Sequence, residues 1–159
     1  MARTITVSSK LPDVGVSIFA VMTQLAIRHG AINLSQGFPD FDCDPALVDA
    51  VARAMRDGHN QYAPMPGLVA LREAIAHKVQ VCYGASCDPQ SEVLIVAGAT
   101  AGLFASLTAL VHPGDEVILF EPCYDSYVPV IRLCGGVPVF ASLRYPDYGV
   151  DWDEVKRAL

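Results

Sequence analysis

What the sequence has little of narrows its function first. Charged residues occupy only 18% of the 159 positions, and lysine occurs three times, as Lys10, Lys78 and Lys156. The net charge of −6 gives no basic field for nucleic acid. A small anion remains open as a ligand, because it needs only local positive potential. No apolar run approaches the roughly 20 residues of a membrane span, so no membrane association is expected. The opening MARTITVSSKLPDVG has no continuous apolar core, and no secretory signal is expected from it. The five cysteines, Cys43, Cys82, Cys87, Cys123 and Cys134, are odd in number and form no CxxC pair. Reduced thiols and a cytoplasmic location fit them better than a disulfide framework. The histidines are scattered singly, and Asp40, Asp42 and Asp44 alternate in a loop as capping acids do, so no metal site is expected. Walker A, GxGxxG and nucleophile-elbow motifs are absent, as are repeats and low-complexity segments.

What is present is apolar and periodic. Hydrophobic residues make up 52% of the chain, enough for a domain with a real core. Residues 1–15 read as an arm or loop. Ile18, Val21, Met22, Leu25 and Ala26 form one stripe of a helix over 16–29, stopped by Gly30. After the loop SQGFPDFDCDP, Asp44 caps and Pro45 opens a helix with Leu47, Val48, Val51, Ala52 and Met55 on its apolar face. The loop NQYAPMPG follows, and Pro66 is expected to open a helix that ends near Gly84.

The pattern then changes. Continuous apolar runs at Glu92–Ala97, Glu116–Phe120 and Val137–Ala141 predict three strands. Between them lie a helix over Thr100–Val111, apolar nearly all round and so expected to be buried, and a helix reaching Cys134 that Gly135-Gly136 breaks. An amphipathic helix with Trp152, Val155 and Leu159 starts at Asp151. Strands alternating with helices predict an α/β protein with a mostly parallel sheet and helices on both faces.

Four stretches can carry chemistry. At Gly98-Ala99-Thr100 a strand passes straight into a helix through small residues, leaving backbone N–H groups and the Thr100 hydroxyl for an anion. An ordinary turn capped by Thr100 reads the same residues and is the commoner case. Gly102 inside that helix suggests close packing or a close ligand. In EPCYDSY (121–127), Tyr124 sits after a strand, where open α/β sheets bind ligands, and an aromatic there can stack on a flat ring or pack on the core. In SQGFPDF (35–41), Gly37 permits backbone approach to a ligand and Pro39 stiffens the loop, although a plain turn would look alike. NQY (60–62) offers an amide and a phenol on what is otherwise an exposed polar turn.

The order and spacing of these stretches are more specific than any one of them. INLSQGFPDF, then NQYAPMPGLVALREAIA, then VLIVAGATAGLFASLTALVHPGDEVILFEPCYDSYVPVIRLCGGVPVF together resemble the N-terminal part of class I, fold-type-I aminotransferases dependent on pyridoxal phosphate (PLP). The methionine, kynurenine and glutamine aminotransferases, among which are cysteine-conjugate β-lyases, are the most similar branch. The resemblance spans about residues 16–159. It implies that Gly98, Ala99 and Thr100 form the turn that receives the PLP phosphate and that Tyr124 stacks on the pyridine ring. It further implies that Gly37 meets the substrate carboxylate through its backbone and that Phe19 lines the pocket for the substrate side chain. Tyr62 would reach across a homodimer interface into the partner's active site. The substrates would be an amino acid and a 2-oxo acid. GATAGL stands where the family commonly has GATEAL, and Cys123 where it often has Phe.

The resemblance also implies what these residues do not contain. PLP chemistry needs a Schiff-base lysine, an acid beside the pyridine nitrogen and an arginine for the substrate carboxylate. All three lie downstream of the matched part in the family, and none of Lys10, Lys78 and Lys156 matches its lysine. No catalytic residue is therefore expected in this chain, which is expected to be inactive alone. The expected division is an N-terminal arm and part of the small domain at 1–45, and the first part of the PLP-binding large domain at 46–159. The fold is expected to be incomplete, with the strand at Glu92–Ala97 left without its neighbour. A β-lyase of the same fold, or a noncatalytic truncated chain, are the alternatives.

Overall fold

The computed structural model describes residues 7–37 and 39–159. Residues 7–15 form no helix or strand, as expected, and the rest of the arm lies outside the described residues. The chain divides into two units, one made of residues up to Gln36 together with Gly98–Leu159, the other of Gly37–Ala97.

In the first unit, α1 spans Ile18–His29. Ser17 caps it by accepting from Ala20 N, and Gly30, at φ +58, turns the chain out while Ala31 N donates to Ala26 O at 2.9 Å. Only a residue tolerant of left-handed backbone closes a helix this way. Asn33 Nδ2 donates to Thr23 Oγ1 at 3.1 Å and ties the following segment back to α1. Helix α4 spans Ala99–Leu110, strand β1 Glu116–Glu121, α5 Tyr127–Leu133, β2 Val137–Ser142 and α6 Trp152–Ala158.

The two strands pair in parallel, from Glu116 opposite Val137 to Glu121 opposite Ser142. A parallel pair needs a crossover, and α5 supplies it. Its inner residues Val130 and Ile131, with Ala141 of β2, are the buried apolar core, Ile131 being 0% exposed. Gly135 leaves α5 at φ +80, and Gly136 then passes so near that a Cβ would sit 2.7 Å from Val111 Cγ1. Helix α6 packs on β2, capped by Asp151, which accepts from Asp153 N and Glu154 N.

The second unit holds α2, Pro45–Arg56, and α3, Val69–Tyr83. Asp44 caps α2 as expected, accepting from Ala46 N at 2.8 Å. Helix α3 starts at Val69 and not at the expected Pro66. Gly67 has φ +100, which no right-handed helix admits, and Pro66 O accepts from Ile95 N at 3.0 Å. Arg72, on the first turn of α3, is 5% exposed and donates Nη1 to Pro89 O at 2.7 Å and to Gln90 O at 3.3 Å.

Two further expectations are corrected. Glu92–Ala97 is not a strand: the segment leaves its apolar side chains half open, and among the described residues its backbone bonds outward through Ile95 N to Pro66 O and Glu92 N to Asp88 O. A strand exists only through a partner, and none among the described residues pairs with it. Helix α4 is not buried either, since it has no buried residue and Phe104 and Leu110 are exposed. An all-round apolar helix needs cover on every side, and a two-stranded sheet is too narrow to provide it. Among the described residues no helix is long and apolar enough to cross a membrane.

Candidate functional site

The turn at Gly98 is built by its backbone. Gly98 stands at φ +87, ψ 167 as the N-cap of α4, and no side chain caps the helix. The reading of Thr100 as a cap is thus corrected: Ala99 already belongs to the helix, so Thr100 lies within its first turn. The first N–H groups of any helix have no partner inside it. In α4 the earliest to bond is Gly102 N, to Gly98 O at 3.2 Å, and Ala99, Thr100 and Ala101 N–H meet no acceptor among the described residues. The space beside the Gly98 Cα is open, with nothing within 4 Å of a Cβ built there. Three uncommitted donors, a helix dipole and a hydroxyl suit a phosphate group, so the donor set fits that part of PLP.

Tyr124 follows β1 in the same unit. Its ring meets two others. The Phe19 centroid on α1 is 6.5 Å away at 41°, and the Tyr127 centroid at the start of α5 is 5.8 Å away at 69°. Tyr127 N donates to Tyr124 O at 3.2 Å, and this backbone turn carries the two rings together. Tyr124 keeps 45% of its surface exposed, so it is held and still open to a flat ligand. Of the residues expected at the site, the structure brings Phe19 and Tyr124 into contact. Sequence reasoning singles out Tyr124 but not Tyr127; its signal is an aromatic three positions on, at the entry to a helix. In the same loop Ser126 Oγ is buried with no hydrogen-bond partner among the described residues.

Gly37 and Tyr62 belong to the other unit. Gly37 is exposed with open space around it, and Tyr62 is fully exposed at 101%. Phe38, beside Gly37, lies outside the described residues. Lys10, Lys78 and Lys156 are all exposed, Lys156 standing 3.9 Å from Asp153. Among the described residues no cluster of histidine, cysteine, aspartate and glutamate is arranged for a metal.

The residues from 29 to 159 match the family model described as aminotransferase class I and II. The chain belongs to this family. Aminotransferases of this class depend on PLP, as the motif order implies. The chain is 53% identical over 146 residues to a methionine aminotransferase of Escherichia coli, the branch the motifs indicate, covering 92% of this chain and 38% of that protein. It is 44% identical over 154 residues to a probable N-succinyldiaminopimelate aminotransferase of Mycobacterium tuberculosis, covering 95% of this chain and 38% of that one. The crystal structure of Escherichia coli YbdL, identified with a methionine aminotransferase function, superposes with a TM-score of 0.93 at 50% identity. That match covers 98% of this chain and 41% of YbdL. The chain thus spans about 38% of the length of the curated relatives it matches.

Proposed function

We propose that the whole protein is a PLP-dependent aminotransferase that moves an amino group from an amino acid to a 2-oxo acid. The donor is of methionine, glutamine, kynurenine or aromatic type, with methionine first because a 53% identical relative carries that name. The observation that carries the reading is the uncapped, glycine-started N-terminus of α4 in one unit with the held ring of Tyr124.

In this reading Ala99 N–H, Thr100 N–H and the Thr100 hydroxyl hold the phosphate, and the α4 dipole favours its charge. Tyr124 stacks on the pyridine ring and keeps it flat against the protein. Bound there, PLP supplies the electron sink that lets a substrate Cα–H bond ionise. Gly37 presents backbone to the substrate carboxylate, since no side chain stands in the way. Phe19 lines the pocket for the substrate side chain, and an aromatic wall suits an apolar one. Tyr62, wholly exposed here, would reach the partner's site in a homodimer. The family division of an arm with part of the small domain (1–45) and the first part of the large domain (46–159) goes with this assignment, as does a cytoplasmic location.

The proton-moving lysine is none of Lys10, Lys78 and Lys156, all on exposed surface. We expect these 159 residues to catalyse no transamination alone. The test uses the full-length protein. Its visible absorption reports bound PLP, and product analysis with methionine, glutamine or kynurenine plus a 2-oxo acid reports transfer. A full-length protein without PLP absorption overturns the proposal. Pyruvate, ammonia and a thiol from a sulfur amino acid would replace transfer by β-elimination.

A further inference from the structure

We propose that Tyr127 is a positioning residue, which fixes the Tyr124 ring relative to the phosphate-binding end of α4. The inference rests on the PLP reading above. Three observations lead to it. Tyr127 is bonded to Tyr124 through the backbone, N to O at 3.2 Å, so the two side chains leave one tight turn. The rings then meet edge to face at 5.8 Å and 69°, a preferred geometry for aromatic pairs. Tyr127 also lines an apolar groove of about 300 Å³ together with Leu103, Ser106 and Leu107 of α4 and Ile118 of β1, and α5, which it begins, packs against α4.

Tyr127 therefore meets the Tyr124 ring and shares a groove with the helix that carries the phosphate donors. One flank faces the middle of α4, whose first turn offers Ala99 and Thr100, and the other meets the ring that would cover the pyridine. Phe19 also meets the Tyr124 ring, but it comes from α1 and does not line that groove. A phosphate and a pyridine ring are joined rigidly in PLP, so their two receptors must keep a set spacing to act together. Tyr127 is the side chain placed to keep it. Without its ring, Tyr124 loses its support on one side and samples other rotamers, while the α4 N-terminus stays as it is.

The test compares full-length wild type with Tyr127→Leu and Tyr127→Phe. We expect Tyr127→Leu to weaken PLP binding by about 2- to 10-fold, the worth of an aromatic pair, and to diminish the visible circular dichroism of the bound cofactor. Inorganic phosphate should compete for the apoprotein with an unchanged constant, because the turn at Gly98 is untouched. Tyr127→Phe keeps the ring and should restore both PLP affinity and dichroism. The lost ring pair should lower the apoprotein unfolding midpoint in Tyr127→Leu, and Tyr127→Phe should restore it. Should Tyr127→Leu not fold, Tyr127→Met, which fills the groove with a flexible chain, is measured in its place. Wild-type affinity and dichroism in the leucine or methionine variant would overturn the proposal, as would phosphate competition weakened in step with PLP. Failure of phenylalanine to rescue would overturn it too. A wild-type protein that binds no PLP would overturn the functional reading itself, a result distinct from wild-type binding that the variants leave unaltered.

Discussion

Gly67 lies so close to Ile95 that a Cβ on it would stand 2.2 Å from Ile95 Cγ1 and 2.6 Å from Ile95 Cβ. The neighbouring Pro66 O accepts from Ile95 N at 3.0 Å, so backbone holds the contact. Gly67→Ala adds overpacking, about 1–3 kcal/mol, to the strain of a side chain at φ +100, roughly 1–2 kcal/mol. We expect a loss of about 2–5 kcal/mol and faster hydrogen exchange of the Ile95 amide. Gly58→Ala, with φ +91 but open space, should cost less. Equal protection of Ile95 in Gly67→Ala and wild type would refute the contact.

Arg72 is a buried cation whose Nη1 serves the carbonyls of Pro89 and Gln90. Replacing it by methionine keeps much of the stem packing and removes the donors. Hydrogen bonds to a charged group are worth about 1.5–3 kcal/mol, and that loss is expected in denaturant unfolding. Exchange protection around Gln90 and Glu92 should fall with it. Arg72→Lys should recover only part, because one ammonium cannot reproduce the guanidinium fork. Full recovery by lysine would mean that charge alone matters there.

Thr100→Val removes a hydroxyl from the first turn of α4 and keeps the side chain's shape. If the hydroxyl meets phosphate, PLP affinity of the full-length protein should fall about 10-fold, one charge-assisted hydrogen bond. Binding of pyridoxal, which has no phosphate, should not change. A similar loss for both ligands would show that the substitution disturbs the fold and not the anion.

Asp151 titrates below the usual aspartate value of 3.8, first because Glu154 N–H donates to its carboxylate, then through Asp153 N–H and the Arg144 and Arg157 guanidinium groups. A depressed folded-state pKa stabilises above the unfolded value, near 3.8, and the contribution disappears as pH falls through the lower folded value. The cap of α6 should therefore hold at neutral pH and release only in strong acid. Carboxyl NMR titration checks it; a midpoint at or above 3.8 would refute the capping. Asp151→Asn, which keeps an acceptor but not the charge, should remove the acid dependence.

Much of this was legible in the chain. Asp44 caps α2 as expected, Asp151 stands at the expected start of α6, and Gly30 and Gly84 are where a helix turns out through left-handed backbone, while Ser17, read inside a helix from residue 16, is the cap of α1. Such signals act within a few residues, so no tertiary knowledge is needed to read them. The start of α3 was misread because Pro66 is a good first residue, whereas Gly67 is held at φ +100 by a segment nearly thirty positions away. Tyr124 was legible through its place after an apolar strand, but its partner Tyr127 was not, because aromatic pairing depends on ring orientation.

Local chemistry in the sequence determined the helices, the two paired strands and the small-residue turn at Gly98, since hydrogen-bond geometry, capping and period are properties of neighbouring residues. The order of motifs was enough to mark the family, and the match over 29–159 bears it out. Only the tertiary structure decided that Glu92–Ala97 takes no strand form, that α4 keeps an open face, and that Tyr124 meets the rings of both Phe19 and Tyr127. The physical reason is common to all three. An apolar run states a need for cover, but pairing, burial and ring contact depend on which surfaces the rest of the fold brings within reach.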